Sequence, residues 1–552
     1  MVGHIQLGDH QGGRRQILIR LQRATQDLDQ AESAFQASGV PLMRWVPWLG
    51  DQVDGARALL ASVASATRVG EHLVEQVDVD LPTGPRPPGN LRFVVKLHRA
   101  FSAASRSFSA LEKAPADLVG PVRAARISFN QRAAKIGHAF TNAADALLVA
   151  NELLGGNGER RILVLAANNA EMRAEGSYLS YTLLGVDRGV FVPVRGGSVN
   201  DLGRTAPLQN LPPTPAFFVG NYSTQLWSSL NQSANFPWTG QAARAMFARE
   251  TGIEVDDVLA IDVPALSSLL GVTGPIRIAG IDEPLTESNA EAVLLRRLYE
   301  QYSLGSEDQR RAVLSNLADS VLRRLSSSLQ DALPIGQVLV AQVPSRHIMA
   351  WSHDAAVQGA LSRLGANGAI DQVDPKSTFT LAVEAVEATK MDAFDIAVHA
   401  AYHVDLHPDR SATVSTTVEV TNLAPTKLPA SSYIYGPDRF YSPIPGNYLA
   451  NCFLWSPEGS IVAGSSPDGA LRVVGASLDV KPGQQRSVTF LTQLPHAVVN
   501  GTFTMRLLPQ PRLHPIAVSI SVAENGHPVP IEGWSQGSLG VPRDVVAQVS
   551  PR

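Results

Sequence analysis

The sequence predicts a multidomain α+β protein with an N-terminal helical bundle or stalk, a central α/β domain and a C-terminal antiparallel β-sandwich. Three observations predict this order. Apolar residues recur every three to four positions up to about residue 150, strand-like and helical runs then alternate, and from about residue 375 the apolar period is two. The predicted domains are 1–155, 156–372 and 373–525, followed by a Pro/Gly-rich tail over 526–552.

Helical spacing of apolar residues defines the first domain. In ILIRLQRATQDLDQAESAF, the side chains of Ile17, Leu21 and Leu28 fall on one face of a helix. The stretch LPTGPRPPGN interrupts this pattern at 81–90, and two further long, alanine-rich runs follow it. The composition predicts a spacing or packing region.

The second and third predicted domains differ in how their strands are arranged along the sequence. After GGNGE at 155–159, strand-like runs such as RILVLAA, GVFVPV, AFFVG, VLAID and QVLVAQV alternate with helical runs, which predicts an α/β domain. Its last helix is predicted at 353–368. From TFTLAVEAV onward, short alternating strands separated by Pro, Gly and Asn are typical of an antiparallel sandwich.

Composition excludes several function classes. The net charge of −4 provides no basic field, so nucleic acid is not an expected partner. The single cysteine, Cys452, excludes an intrachain disulfide and a cysteine-rich zinc site. No apolar run approaches the roughly 18–20 residues that span a bilayer, and no signal peptide opens the chain. Two explanations remain open: a cytoplasmic protein, or one whose N-terminal membrane anchor is absent from this chain.

A polar segment follows the first predicted strand of the α/β domain. The apolar strand 161–167 leads into Asn168, Asn169, Glu171 and Arg173, and open α/β sheets bind ligands beyond the carboxyl ends of their strands. Amides donate and accept hydrogen bonds, a carboxylate takes a proton or a cation, and a guanidinium matches phosphate. The alternative interpretation is a simple connection between strands, held by an internal Glu–Arg pair.

This segment, NNAEMRAEGSY, resembles the signature of an actinobacterial envelope family known as domain of unknown function 4012, whose members typically have NNAELRPTGGF here. The resemblance continues through FFVGNYSTQLWSSLNQSANFPWTGQAARAMFARETGIEVDDVLAIDVPALSSLLGVTGPIRI and covers about residues 158–440. The helical stretch that carries RWVPWLGDQVDGARALL also resembles what precedes the domain in relatives, where it usually follows an N-terminal membrane anchor. The resemblance therefore implies an extracytoplasmic envelope protein that is anchored in its full-length form.

The order of elements is also similar to that of the LytR-CpsA-Psr glycopolymer transferases, which implies their fold for the central domain. Those proteins hold a polyprenyl pyrophosphate with arginines and an Asp-bound Mg²⁺. The resemblance places Arg195, in FVPVRGG, and Arg310 and Arg311, in EDQRRAVLSNL, beside phosphate.

The acidic residues that would hold Mg²⁺ in such a site are replaced. Asn168 and Asn169 end the first strand, Gly196 follows Arg195, and Asn235 stands where the closer family usually has Asp. Amides are poorer ligands for a hard cation than carboxylates. We therefore predict no metal site and no certain cofactor, with Mg²⁺ left open, and expect binding to be retained more readily than catalysis.

Two further patterns have alternative explanations. Trp238 in NFPWTG is either a carbohydrate-stacking platform or a part of the core. A glycoside hydrolase needs two carboxylates across a cleft, and four acids of this region are candidates. They are Glu171, Glu175, Asp187 and Asp201.

The leading hypothesis is an extracytoplasmic protein that binds a lipid-pyrophosphate-linked or otherwise anionic cell-wall glycan, with transfer of that glycan left open. Its catalytic candidates are Glu171, Arg173 and Arg195, and its ligand-binding candidates are Asn168, Asn169, Arg310, Arg311, Asn235 and Trp238. The expected partners are the glycan or its polyprenyl-linked lipid and, through the anchor, the membrane. The alternatives are a non-catalytic scaffold or adhesin with an envelope protein partner, and a glycoside hydrolase. The leading hypothesis requires the arginines to converge over one crevice.

Overall fold

The structure, a computed structural model, divides into two compact units, Met1–Asn157 and Gly158–Arg552. It describes residues 10–38, 49–76, 87–111, 118–208, 223–302, 332–371, 374–386, 389–437 and 441–549, together with scattered residues within 209–222 and 303–331. Across these residues, no helix combines the length and the apolar character that crossing a bilayer requires.

The first unit is helical, as predicted. Its helices are α1 (His10–Ala37), α2 (Leu49–Gln76), α3 (Pro87–Ser109) and α4 (Gly120–Leu153). Aromatic rings join α3 to α4, because Phe140 lies 5.9 Å from Phe101 and 5.3 Å from Phe108 between ring centroids. Between α2 and α4, the buried guanidinium of Arg126 donates to the Ser62 hydroxyl at 3.2 Å.

The second unit begins with a five-stranded mixed sheet of order β3-β2-β1-β4-β5. The strands are β1 (Arg160–Asn168), β2 (Ser177–Asp187), β3 (Val190–Ser198), β4 (Asp257–Asp262) and β5 (Ile348–Ser352). β1 and β4 are parallel, so their carboxyl ends lie at the same edge, and the other neighbours are antiparallel. Leu163 and Leu165 of β1 are fully buried in this sheet.

Helices follow the strands of this sheet. They are α5 (Phe236–Thr251), α6 (Val263–Thr273), α7 (Ala290–Ala292 continued by the π-helical Val293–Arg297 and by Leu298–Gln301), α8 (Ala332–Gln342) and α9 (Ala355–Arg363). Asp262 caps α6 by accepting a hydrogen bond from the amide of Ala265 at 3.1 Å. The prediction of a strand for the run QVLVAQV was wrong, because this run lies mostly within α8. A short apolar run has no period that distinguishes a buried strand from a buried helix. The run AFFVG lies mainly outside the described residues.

The C-terminal part is rich in strands, as predicted, and forms two sheets. One has the order β10-β11-β9-β6-β14-β19-β17 with β13 beside β14, and the other has the order β12-β8-β7-β15-β16 with β18 beside β15. The strands are β6 (Thr378–Ala385), β7 (Ile396–Leu406), β8 (Ala412–Asn422), β9 (Tyr448–Ser456), β10 (Ser466–Asp468), β11 (Leu471–Val480), β12 (Gln485–Leu494), β13 (Val498–Val499), β14 (Thr502–Leu508), β15 (Ala517–Glu524), β16 (His527–Pro528), β17 (Ile531–Gly533), β18 (Gln536–Ser538) and β19 (Arg543–Gln548).

The two sheets share one hydrophobic core, to which Phe379, Tyr402, Tyr448 and Phe503 contribute buried rings. They are not purely antiparallel, because β14 runs parallel to β6 and β15 runs parallel to β7. An apolar period of two indicates that one face of a strand is buried. Parallel and antiparallel strands have the same period. The sequence pattern therefore left the direction of these pairs undetermined.

The segment 526–552, predicted as a Pro/Gly-rich tail, is built into these sheets over its described residues. β19 pairs with β14 and with β17, and its Val545 and Ala547 are fully buried. Each strand here is short and flanked by Gly or Pro, so the composition of this segment did not predict strands.

Gly240 allows α5 to approach the sheet closely. A Cβ atom at this position would lie 2.4 Å from the Cβ of Trp351 on β5. We predict that Gly240→Ala lowers the free energy of unfolding by roughly 1–3 kcal/mol, because the close-packed helix must move away from the sheet. Thermal melting followed by tryptophan fluorescence measures this loss.

The matched control is Gly336→Ala in α8, where an added Cβ meets no atom within 4 Å. It removes only backbone freedom within a helix and should be neutral or stabilising by about 0.5–1 kcal/mol. Equal melting temperatures for wild type and Gly240→Ala would contradict the close approach.

Candidate functional site

The carboxyl edge of the first sheet brings the ends of β1 and β4 together. Asn169 donates from Nδ2 to Oδ2 of Asp262 at 3.0 Å and accepts the amide of Val263 on Oδ1 at 3.3 Å. Nδ1 of His347 lies 2.6 Å from the same Oδ2 of Asp262. The predicted ligand-binding residue Asn169 therefore joins two strand ends, and its side chain is buried.

The polar segment after β1 continues into the C-terminal sheets. The amide of Met172 donates to Oδ2 of Asp392 at 3.0 Å, and the carbonyl of Met172 accepts the amide of Ala385 at 2.9 Å. The amide of Asp392 in turn donates to the carbonyl of Ala170 at 3.2 Å. We call residues 168–176 the docking segment, because these hydrogen bonds attach it to the two C-terminal sheets.

Arg173 is part of this attachment. Its Nη1 donates to the carbonyl oxygens of Ala385 and Met172, and its own carbonyl accepts Nε2 of Gln510 at 2.9 Å. This guanidinium is used by backbone carbonyls and does not line the cavity described next. The catalytic role predicted for Arg173 stays a prediction. The sequence could not show these backbone partners, because neither the residue type nor its position reveals them.

A polar cavity of about 160 Å³ lies beside the docking segment. The residues that line it are Glu171, Leu179, Ser180, Gly197, Ser198, Asn200, Arg310, Leu314, Lys390 and Tyr433. Oε2 of Glu171 is 2.9 Å from Nζ of Lys390, and the two side chains are only 13% and 6% exposed. Two cations and one carboxylate therefore meet in a small, largely dehydrated volume.

Two tyrosine rings position the cations of this cavity. The rings of Tyr299 and Tyr433 are in edge contact at 5.6 Å, and the guanidinium carbon of Arg310 lies 4.8 Å from the Tyr299 centroid. Nη2 of Arg310 donates to the Tyr433 hydroxyl at 3.1 Å, and Nζ of Lys390 lies 5.6 Å from the Tyr433 centroid. Cation–π contact of this kind stabilises cations that have little access to water.

Burial shifts the pKa values of this group in opposite directions. It raises the pKa of Tyr299, which keeps the phenol neutral, and it lowers the pKa of Lys390, an effect that Glu171 opposes. The predicted residue Asn168 contacts this group, because its Nδ2 donates to the Tyr299 hydroxyl while Oδ1 accepts the amide of Ala170 at 2.8 Å.

The arginines that were expected to converge separate. Arg310 reaches the cavity, whereas Arg195 donates from Nε to the Tyr181 hydroxyl at 2.9 Å and is not among the lining residues. Arg311 lies outside the described residues. Sequence reasoning missed Lys390, Tyr299 and Tyr433, because no local motif marks them and only tertiary folding brings them together.

Trp238 and Asn235 lie away from the cavity, and Trp238 has the second of its two predicted roles, a part of the core. Trp238 is 4% exposed and packs in the core between α5 and the sheet, so it is not a platform for a sugar. Asn235 precedes α5 as its N-cap residue, and its backbone amide donates to the Ser233 hydroxyl oxygen at 3.1 Å. Both residues lie outside the cavity lining.

The acids considered for hydrolysis do not gather either. Glu175 is buried, with Oε1 3.2 Å from Nη2 of Arg346 and Oε2 accepting the Tyr178 hydroxyl at 3.1 Å. Asp201 accepts the amide of Ser198 at 3.1 Å, and Asp187 pairs with the neighbouring Arg188 at 3.0 Å. Of the described residues that line the cavity, Glu171 alone carries a carboxylate.

Burial makes Glu175 a source of pH-dependent stability. It raises the pKa of Glu175 from 4.5 to about 7, with Arg346 acting in the opposite direction. The folded state therefore binds the proton more tightly than the unfolded state, so stability falls as pH rises from about 4.5 through about 7. We predict a loss of up to about 3 kcal/mol over this interval, which Glu175→Gln removes.

The measurement is the change in melting temperature between pH 5 and pH 8 for wild type and Glu175→Gln. Glu254→Gln is the control, because Glu254 forms an ion pair with Arg244 while its own side chain is 65% exposed. That variant should keep the wild-type pH response. The same response in Glu175→Gln would show that this carboxylate does not titrate in the interval.

One family match covers the part of the chain that forms four of the five strands of the first sheet and the docking segment. No curated protein matches the chain. Residues 157–299 match the family model described as "Protein of unknown function (DUF4012)", a range that includes β1 to β4, the docking segment and Tyr299. The resemblance to domain of unknown function 4012 is thereby confirmed over residues 157–299.

Proposed function

We propose that the cavity beside the docking segment binds the phosphate or pyrophosphate group of a lipid-linked, or otherwise anionic, cell-wall glycan. The observation that carries the proposal is the meeting of Arg310 and Lys390 in one cavity with Glu171 as its carboxylate. The three side chains leave one net positive charge in a volume that is largely closed to water. An anion is the ligand that such a cavity favours.

The size of the cavity limits what enters it. Pockets for drug-sized ligands usually measure about 300–1,000 Å³, whereas this one measures about 160 Å³. A phosphate-sized headgroup suits this volume, and the sugar and lipid portions of the ligand would extend beyond it. The proposed ligand is therefore recognised by its charged linkage.

Arg310 is held in place beside the cavity. Its Nη2 donates to the Tyr433 hydroxyl at 3.1 Å, and its guanidinium carbon lies 4.8 Å from the Tyr299 ring centroid. Ser180, Ser198 and Asn200 add polar groups to the wall of the cavity. A guanidinium held over two aromatic rings is already oriented, so less side-chain entropy is lost when it binds phosphate.

The resemblance in element order to the LytR-CpsA-Psr transferases is a reason to propose phosphate binding, whereas the residues of this chain do not favour the metal of those proteins. The amide oxygens of Asn168 and Asn169 accept the amides of Ala170 and Val263, so the oxygens that would bind Mg²⁺ are engaged. The residues do not fit the ion. Within this proposal the protein is an extracytoplasmic, membrane-anchored binder, and transfer is a further step that requires groups from elsewhere.

A non-catalytic scaffold is the second candidate. The observation in its favour is a row of valines on the edge strand β3, where Val190, Val192 and Val194 are each more than half exposed. Exposed apolar rows on edge strands are common sites of protein contact. A scaffold would bind its partner whatever the charge of the cavity, so the next experiment separates the two candidates.

Arg310→Gln tests the anion proposal. We expect it to weaken the binding of a soluble short-chain polyprenyl pyrophosphate by about 10- to 100-fold, because one charge-assisted interaction with phosphate is lost. Isothermal titration with the full chain measures the affinity, and the matching polyprenol reports whether the phosphate is what is recognised.

Arg188→Gln is the matched control. Arg188 is exposed in the turn between β2 and β3, at the opposite edge of the sheet from Asn168. This variant should bind the pyrophosphate as the wild type does. Unchanged affinity in Arg310→Gln, or equal weakening in both variants, would remove the proposal.

Glu171→Gln distinguishes binding from acid–base chemistry. If the cavity binds an anion, removal of its carboxylate should strengthen pyrophosphate binding by about tenfold, because the repulsion between the two anions is lost. A glycoside hydrolase would instead lose the release of sugar from wall polysaccharide. Weaker pyrophosphate binding by this folded variant would contradict the proposed charge balance.

A further inference from the structure

Two residues contact the charged group of the cavity without lining it. Neither Asn168 nor Tyr299 is among the described residues of the cavity wall. The guanidinium carbon of Arg310 nevertheless lies closer to the Tyr299 centroid, at 4.8 Å, than to the Tyr433 centroid, at 5.6 Å. Nζ of Lys390 lies 5.9 Å from the same Tyr299 ring. Both cations of the cavity therefore share one ring that stands outside its wall.

A hydrogen bond links this ring to the end of β1. Tyr299 is only 2% exposed, and its hydroxyl accepts Nδ2 of Asn168. Buried phenols usually have such a partner, because burial has removed the water that would otherwise hydrogen-bond to them. The first sheet and α7 are thus joined at the hydroxyl of Tyr299.

The docking segment in turn fixes the side chain of Asn168. Its Oδ1 accepts the backbone amide of Ala170 at 2.8 Å, a turn that short polar side chains form with the chain two residues further on. Because the carboxamide is planar, fixing its oxygen also fixes the direction of Nδ2. The backbone of the docking segment therefore determines where Asn168 can place the Tyr299 hydroxyl.

The orientation of the Tyr299 ring matters to Arg310. Cation–π attraction acts over the face of a ring and requires the cation to stay close to it. Tyr299 is held at its backbone by α7 and at its hydroxyl by Asn168, so its face stays under the guanidinium. Without the hydrogen bond the ring would be free to tilt, and Arg310 would keep only its contacts with Tyr433.

We propose that Asn168 is a positioning residue of the anion site, and that it acts on the ligand through Tyr299 and Arg310. This inference rests on the proposed function, because it gives Asn168 its role in the binding of the same pyrophosphate. The docking segment orients Asn168, Asn168 orients the Tyr299 ring, and the ring orients Arg310. Asn168 therefore contributes to affinity without touching the ligand.

Titration of the full chain with the short-chain polyprenyl pyrophosphate tests this order of contacts. Asn168→Ala and Tyr299→Phe should each weaken binding by about three- to tenfold, since each removes the same hydrogen bond. The double variant should bind no more weakly than the weaker of the two single variants. If Asn168→Ala has its full effect in the Tyr299→Phe background, Asn168 contacts the ligand directly and the proposal is overturned.

Arg310→Gln separates positioning from a general loosening of the structure. In this background Asn168→Ala should leave the remaining affinity unchanged, because the group that it positions is gone. A residue that merely supports the fold would weaken binding further in the same background. That further weakening would contradict the positioning role.

Melting temperatures distinguish failure of this inference from failure of the proposed function. If wild type has no affinity for the pyrophosphate, the proposed function fails, whereas the contact between Asn168 and Tyr299 still predicts coupled stabilities. The fall in melting temperature of the Asn168→Ala, Tyr299→Phe double variant should then be smaller than the summed falls of the single variants.

Tyr402→Phe is the matched control for these measurements. It removes a buried hydroxyl from β7 in the C-terminal core, where the Tyr402 ring contacts Phe379 at 6.2 Å between centroids. It should leave the affinity unchanged, and its fall in melting temperature should add to that of Asn168→Ala. Simple addition for Tyr299→Phe as well would overturn the positioning role.

Discussion

The buried carboxylate of Asp392 is the interaction on which the second unit depends. It accepts the amide of Met172 at 3.0 Å, the hydroxyl of Tyr448 at 2.6 Å and Nη2 of Arg512 at 3.1 Å. The side chains of Asp392 and Arg512 are almost entirely inaccessible to water, so neither charge has a substitute partner in solvent. Removing one partner of a buried ion pair leaves the other charge buried without a partner, which costs about 3–5 kcal/mol of stability. The network thus holds the docking segment to the C-terminal sheets, and this explains why two predicted domains form one compact unit.

The same attachment creates the cavity. Glu171 lies between Ala170 and Met172, whose backbone groups are both bonded to the segment around Asp392. Lys390, the partner of Glu171, precedes Asp392 by two residues on that segment. The pairing of these two short chain segments therefore forms both the attachment to the C-terminal sheets and one side of the cavity. The position of the carboxylate relative to the ammonium is consequently set by backbone hydrogen bonds, which are more rigid than the flexible side chains alone.

Local sequence predicted those parts of the site that share a segment or a motif and failed for the rest. The polar segment after β1 was expected at a ligand-binding edge, and it does place Glu171 and Asn168 beside the cavity. The sequence could not show that Arg173 donates to backbone carbonyls, because an arginine is the same residue whether its guanidinium binds carbonyl oxygens or phosphate. Lys390, Tyr299 and Tyr433 were missed because each comes from a different part of the chain. In the fold, period-two patterns identified most strands, and they could not give pairing direction or reveal the strands within the Gly- and Pro-rich C terminus.

The cavity contains two cations and one carboxylate, and this excess of positive charge links ligand binding to the attachment of the docking segment. Arg310 follows α7, whereas Lys390 belongs to the connection between β6 and β7, so the two cations come from opposite sides of the attachment. The two cations repel each other, and the carboxylate of Glu171 and the rings of Tyr299 and Tyr433 oppose that repulsion. An anion between the two cations would convert the repulsion into attraction on both sides at once. A ligand of the proposed class would therefore tighten the same attachment that forms its site, because binding free energy gained by the folded, docked state adds to its stability.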